Sequence, residues 1–319
     1  MSRPRIAALG GGTGLASLLR GLKREPVDIT AIVTVADDGG SSGRLRRELG
    51  VLPPGDIRNC LAALADDESL MGTLFQHRFA DGDLSGHPFG NLFLAALAEV
   101  TGSFDLAIQE CSRVLKIRGR VLPSTLEQIR LWAERADGEA VAGETRIAAG
   151  TGPCRRVWLE PEPAAHPPAL EAIAEADLVL LGPGSLFTSV LPHLAVPQLA
   201  AALSGARGIR AYVCNVMTQP GETDGFDAAD HLERVLEAAP GAVDVIVAHE
   251  GPLDREAVDA YAIQGQEPVP ADRRRLAALD VRVVTGDLAE AGTVVRHSPE
   301  NLAATLLDVL REVPARRSA

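Results

Sequence analysis

Apolar runs and helical periodicities alternate along most of this chain. Residues 6–9 form a short apolar run that reads as a buried strand. Leu15, Leu18, Leu19 and Leu22 then recur at helical spacing. Between the two lies Gly10-Gly11-Gly12-Thr13-Gly14. Residues 29–35, ITAIVTV, are β-branched and apolar throughout, as a parallel strand covered on both faces requires. Helical patterns follow at 57–65, 69–78 and 92–100. The same rhythm returns later, with strands expected at 177–181, 209–213, 243–248, 281–284 and 293–296. A closing amphipathic helix at 301–313 carries Leu302, Leu306, Leu307 and Leu310 on one side, and the tail, 314–319, is expected to fray.

The period changes in the middle. Ile129, Leu131 and Ala133 alternate with Arg130, Trp132 and Glu134, and Asp137-Gly138 is a hairpin signal. Short strand-like runs follow at 144–147 and 155–159. This reads as a small antiparallel β insertion over 118–163, left through a Pro- and Ala-rich linker at 161–168. The expected fold class is therefore α/β: a Rossmann-like, mostly parallel sheet with helices on both faces. Its core is built from 1–117 and 164–319. A length of 319 residues fits one large domain with an insertion, or two domains.

Composition narrows the classes. Hydrophobic residues at 46% imply a packed core, and aromatics at only 3% mean that Leu, Val, Ile and Ala must build it. A net charge of −12 without a Lys/Arg-rich stripe argues against nucleic acid as the main ligand. Cys60, Cys111, Cys154 and Cys214 are scattered, which reads as reduced thiols in a cytoplasmic protein. No signal peptide is visible and no apolar run approaches the length of a membrane span, so membrane insertion is not expected.

The candidate chemistry sits in the loops after the strands. Gly10 to Gly14 joins a strand to a helix, the geometry in which backbone N–H groups and a helix N-terminus meet an anion, and Thr13 adds a hydroxyl. It fits neither the dinucleotide fingerprint nor the P-loop, because Leu15 stands where the fingerprint needs Gly and no Gly-Lys-Ser/Thr follows. The next loop carries Asp37, Asp38, Ser41 and Ser42. Its acids lie about where a nucleotide fold places a ribose-binding carboxylate, and the pair could hold magnesium beside phosphates. Turn and capping roles are the plain alternative. Asp56 reads as an N-cap, with Arg58 and Asn59 in the first turn behind it. His87 and Asn91 open a buried helix. Gly182, Gly184 and Ser185 form a second glycine turn. The long polar loop 214–225 supplies Asn215, Thr218, Gln219 and Thr223. In an open parallel sheet these loops gather at one end, where a nucleotide or nucleotide-sugar would bind.

Taken together, GGGTG, VTVADDGGSSGRLR, LPPGDIRN, GHPFGN, GPGSLFTSVLP and CNVMTQPGETDG resemble the YvcK family, the gluconeogenesis-factor or UPF0052 family within the CofD-like superfamily. Tyr261, Gln264-Gly265 and Arg296-His297 are similar to that family as well, so the likeness spans Gly10 to about Arg296. The resemblance implies a cytoplasmic protein that binds UDP-sugars, chiefly UDP-N-acetylglucosamine. It also implies a tie to cell shape and envelope synthesis during gluconeogenic growth. It would place Gly11 to Gly14 at the diphosphate, Asp37 and Asp38 near ribose or a metal, and Asn215 and Thr218 around the nucleotide. Tyr261 would stack on a ring and Arg296 would pair with a phosphate. A homodimer and a partnership with envelope-synthesis proteins belong to the same expectation. No cofactor is firmly implied, and magnesium is the one candidate.

Two readings compete with a binder that turns nothing over. One is a magnesium-dependent transferase of the CofD type, which passes a phospholactyl group from a guanylylated donor to a deazaflavin precursor. The loop GGSSGRLRREL departs from that pattern, and with two Trp and two Tyr no aromatic-rich pocket for a deazaflavin is visible. The other is an NAD-type binder, which the incomplete glycine fingerprint disfavours.

Overall fold

A computed structural model describes residues 3–65, 70–290, 292 and 294–312. Its strands are β1 (Arg5–Gly10), β2 (Asp28–Val33), β3 (Arg120–Pro123), β4 (Arg130–Arg135), β5 (Ala140–Ala142), β6 (Cys154–Glu160), β7 (Leu178–Leu181), β8 (Ile209–Val213), β9 (Val245–His249) and β10 (Arg282–Gly286). Seven of them form one sheet in the order β10-β9-β8-β7-β1-β2-β3, and β5-β4-β6 form a second sheet of three. Every pairing in the large sheet is parallel. Ile6 of β1 lies between Ile29 of β2 and Leu178 of β7. β7, β8 and β9 are buried at every residue, which is why their sequences run apolar instead of alternating.

A charged residue breaks that apolar pattern inside β8. Arg210 in β8 is fully buried. Its Nε donates to Asp244 Oδ2 at 2.8 Å and its second amino group to the Ser204 carbonyl at 2.9 Å. A buried guanidinium is tolerable only with such a set of acceptors.

The α/β class and the small antiparallel sheet agree with the sequence pattern. Asp137-Gly138 joins β4 to β5, with Trp132 opposite Ala142. Several details differ. The run 144–147 is not a strand but the start of the helix Glu144–Ala148. β3, inside the segment 118–163, pairs with β2 in the large sheet. Four residues are too few to show a period, so only the pairing reveals its place. The first helix is Gly12–Leu22, so Gly12 and Gly14 lie in its first turn and Gly11 caps it. Likewise Gly40–Leu49 is helical, taking up Ser41 and Ser42. The expected linker already turns helical at Pro167–Glu175, with proline in the first turn where its missing N–H costs nothing. The helix expected over 69–78 is Leu70–Gln76, and residue 69 lies outside the described residues. Residues 294–296 are not a strand, and residue 293 of that expectation is outside the described residues, as are residue 313 and the tail 314–319.

The last helix, Pro299–Glu312, packs on the first, and Ser17 Oγ donates to the His297 carbonyl at 3.3 Å. Among the described residues no single helix is long and apolar enough to cross a membrane.

Candidate functional site

The strand order reverses between β1 and β7. Loops that leave two strands at such a switch diverge and open a crevice beyond their carboxyl ends. Here the first turn of the helix Gly12–Leu22 meets the Gly182-to-Ser185 turn that follows β7. A Cβ on Gly14 would stand 2.8 Å from the Pro183 carbonyl oxygen, so a larger residue would drive the two turns apart. No acidic residue occupies that first helical turn. Its N–H groups have no partner within the helix, and the Gly12 N–H is taken by the Asp56 carboxylate. The next N–H groups and the helix dipole remain for an anion.

A cavity of about 540 Å³ opens over this turn. Its walls include Gly11 to Gly14, Asn59, Glu144, Gly184, Ser185, Asn215, Gln219, Tyr261 and Arg296. Side-chain amides and a hydroxyl organise one wall. Asn215 Nδ2 donates to Gln219 Oε1 at 3.2 Å, and Gln219 Nε2 donates to Ser185 Oγ at 2.6 Å. Tyr261 comes from the helix Arg255–Ala262, and Arg296 from the segment before the last helix. The Arg296 guanidinium is paired with Glu290 at the rim.

Other residues expected at the site lie beside it. Gly10 is the last residue of β1, and its carbonyl accepts from the Thr34 N–H at 3.1 Å and lies 3.0 Å from His193 Nε2. Gly182 supports the second turn with a φ of +77°. Thr218 and Thr223 are buried and hold the loop: Thr218 Oγ1 accepts from the Glu267 N–H and Thr223 Oγ1 from the Gln219 N–H, both at 2.8 Å. Ser41, His87 and Asn91 form a buried triad between two helices. Ser41 Oγ sits 2.8 Å from His87 Nδ1 and accepts from Asn91 Nδ2 at 3.0 Å. Arg58 is turned onto Asn59 Oδ1 at 2.6 Å.

The acids are arranged differently from the expectation. Asp37 and Asp38 are held by different partners. Asp38 Oδ1 accepts from both the N–H and the hydroxyl of Thr145, each at 3.1 Å, so it fastens the antiparallel sheet's side of the site. Asp37 accepts from the Gly39 N–H at 2.8 Å and bonds Ser42, whose Oγ in turn accepts from the Gly55 N–H. Nor is Asp56 an N-cap. Pro54 holds that position, and Asp56 lies in the first turn of Gly55–Leu64, aimed under Gly12. Among the described residues no three His, Cys, Asp or Glu side chains are placed to share a metal ion. Asp37 and Asp38, the pair suggested for magnesium, thus have different hydrogen-bond partners, Gly39 and Ser42 for the first and Thr145 for the second.

What replaces that pair is a group of crowded carboxylates. Burial raises Asp37 above the usual carboxylate range. Burial, and then the neighbouring Asp37, push Asp56 up to about 6. Burial, then Asp37, Asp56 and Glu222, push Glu144 up to about 9. Burial pushes Glu222 up to about 7, against the Phe187 N–H and the Thr188 hydroxyl that favour its charged form.

Glu144 was not visible as a site residue in the sequence, because its surroundings read as a strand of the insertion. Arg135 was hidden too. It is buried, and its guanidinium donates to the carbonyls of Gly221 at 2.9 Å and Ile147 at 2.8 Å, joining the small sheet to the loop 214–225. The continued alternation past Ala133, which puts residue 135 on the inner face, was its one signal.

Known proteins resemble this chain over nearly its whole length. The family described as 2-phospho-L-lactate transferase CofD matches residues 6–289. A putative gluconeogenesis factor of Nostoc sp. is 51% identical over 311 residues, which is 95% of this chain and 68% of the relative. The gluconeogenesis factor of Bacillus subtilis is 48% identical over 314 residues, covering 97% of this chain and 99% of that one. A crystal structure from Bacillus halodurans, of a protein described as a member of the UPF0052 family, superposes with a TM-score of 0.93 at 46% identity. It covers 96% of this chain and 99% of that one.

Proposed function

The chain belongs to the CofD family, among its gluconeogenesis factors, and from that premise we propose that it binds a UDP-sugar, UDP-N-acetylglucosamine, as a regulatory ligand. The observation that carries this reading is the convergence, on one cavity, of an unacidified helix N-terminus with Asn215, Gln219, Tyr261 and Arg296 from distant parts of the chain. A diphosphate belongs at the helix N-terminus. A uracil or sugar ring has Tyr261 to stack on, and the Asn215–Gln219 amides suit the edge of a base or an N-acetyl group.

The crowded carboxylates do not oppose this. Glu144, with its pKa near 9, is protonated at neutral pH and presents an O–H donor to a ligand in place of a charge. On the same reading the protein works in the cytoplasm, as a homodimer, and acts on envelope synthesis and cell shape during gluconeogenic growth.

The alternative is a magnesium-dependent transferase of the CofD type, and the carboxylate group is what favours it. Asp37 and Asp56 offer the hard oxygen donors that magnesium prefers, and a cation would relieve their crowding. Bound there, the ion would neutralise charge on the guanosine monophosphate that leaves when the phospholactyl group is transferred.

Calorimetry with UDP-N-acetylglucosamine, UDP and NAD, each with and without magnesium, separates the readings. Saturable heat from UDP-N-acetylglucosamine without magnesium is expected. Saturation by NAD alone would overturn the proposal. Consumption of a guanylylated phospholactate with a deazaflavin acceptor would establish the transferase instead. Arg296→Ala is expected to weaken UDP-N-acetylglucosamine binding by roughly 1.5–3 kcal/mol, as for a lost charged hydrogen bond. Unchanged affinity would remove Arg296 from the site.

A further inference from the structure

A larger cleft, of about 860 Å³, lies at the other end of the sheet, at the amino-terminal ends of β1, β2 and β3. Six Lys or Arg side chains and three carboxylates line it, in a chain whose net charge is −12. Three of the cations have structural partners, two of them backbone carbonyls and the third a carboxylate. Lys23 Nζ donates to the Ala65 carbonyl at 2.9 Å, Arg118 reaches the Lys23 carbonyl at 3.5 Å, and Arg24 pairs with Glu300. Arg5 shares Glu175 at 3.2 Å. Arg3 lies before β1 and Arg120 at the start of β3, and neither side chain has a partner among the described residues.

The position of Arg120 is built into the backbone. Gly119 has a φ of +106°, and a Cβ there would come within 2.6 Å of the Ile29 carbonyl oxygen. Only glycine lets this segment press against β2 and carry Arg120 to the cleft's edge.

We propose that this cleft is a second anion-binding site, separate from the glycine-turn crevice, for a small metabolite bearing two or more phosphate or carboxylate charges. Three observations support it. The volume is that of a small-molecule pocket, not of a flat docking face. Cations outnumber carboxylates two to one on an otherwise acidic protein. The unpartnered groups are guanidiniums, whose forked N–H pairs match phosphate and carboxylate oxygens.

Pyrophosphate is the probe, titrated by calorimetry at low ionic strength into the full chain. We expect a component of one equivalent that survives Asn215→Ala/Gln219→Ala in the crevice. It should weaken about tenfold or more in Arg3→Ser/Arg120→Ser, which alters two exposed side chains and should fold normally. The absence of such a component, or one that the serine pair leaves intact, overturns the proposal. Because the readout is pyrophosphate at the cleft, its failure leaves the UDP-sugar reading untouched, and the reverse also holds.

Discussion

Arg135→Met is expected to destabilise the protein by about 3–5 kcal/mol, the range for removing one partner of a buried charged network. Arg135 is 4% exposed. It donates to the carbonyls of Gly221, Gly152 and Ile147 at 2.9, 3.2 and 2.8 Å. Methionine fills the volume but leaves those oxygens without donors, at roughly 1–3 kcal/mol for each one that water does not reach. Glu222, whose charged form Arg135 favours, loses that support as well. The loss falls on the seam between the small sheet and the loop 214–225, which carries Asn215 and Gln219. Urea unfolding measures the stability, and limited proteolysis should reveal new cleavage at 149–152 and 219–225. A change below about 1 kcal/mol, with no new cleavage, would show that the seam holds without this side chain. Arg135→Lys keeps the charge but not the fork, and should fall between.

The second large effect is a stability that declines as pH rises. Asp56 is held near 6 in the folded protein and titrates near 4 when unfolded. Between those values the native state keeps a proton that the unfolded chain releases. Raising the pH therefore favours unfolding, and the full difference, about 3 kcal/mol, is reached above pH 6. Glu222 extends the decline to about pH 7, and Glu144, at the rim, to about pH 9. Asp56→Asn keeps an acceptor for the Gly12 N–H and removes the titration. Its Tm should match the wild type near pH 4 and exceed it increasingly up to pH 7. Parallel curves for the two proteins would mean that Asp56 is ionised throughout.

Much of the scaffold could be read from the chain because its signals are local. β1, the glycine run and the leucines behind it sit within twenty residues, and β7, β8 and β9 are short, mostly apolar runs. What escaped depends on residues far apart. β3 looks like any short apolar segment until it lies against β2. Glu144 reads as part of a strand because nothing nearby says that Gly143 caps a helix there instead. The Asp37-Asp38 doublet suggests one site by adjacency. The fold gives the two carboxylates different partners, Ser42 for one and Thr145 for the other. Tyr261 and Arg296 carry no local signal at all. Only a family likeness pointed to them, and the fold then brought both to the cavity over the glycine turn.

The strand order also sets a timetable for synthesis. β1 is the first strand made, yet it sits mid-sheet, bonded to β2 on one side and β7 on the other. At about 5–20 residues per second, the ribosome needs roughly 3–12 s to go from the end of β3 to the end of β7. Throughout that interval β1, β2 and β3 can form only half a sheet, with Ile6 and Leu9 along an open edge. An unpaired apolar edge of this kind invites pairing with another nascent chain. The glycine turn, meanwhile, has no facing wall, so the crevice closes only when the later half of the sheet docks. Ligand at this site would thus act on the finished protein and could not template its earliest folding.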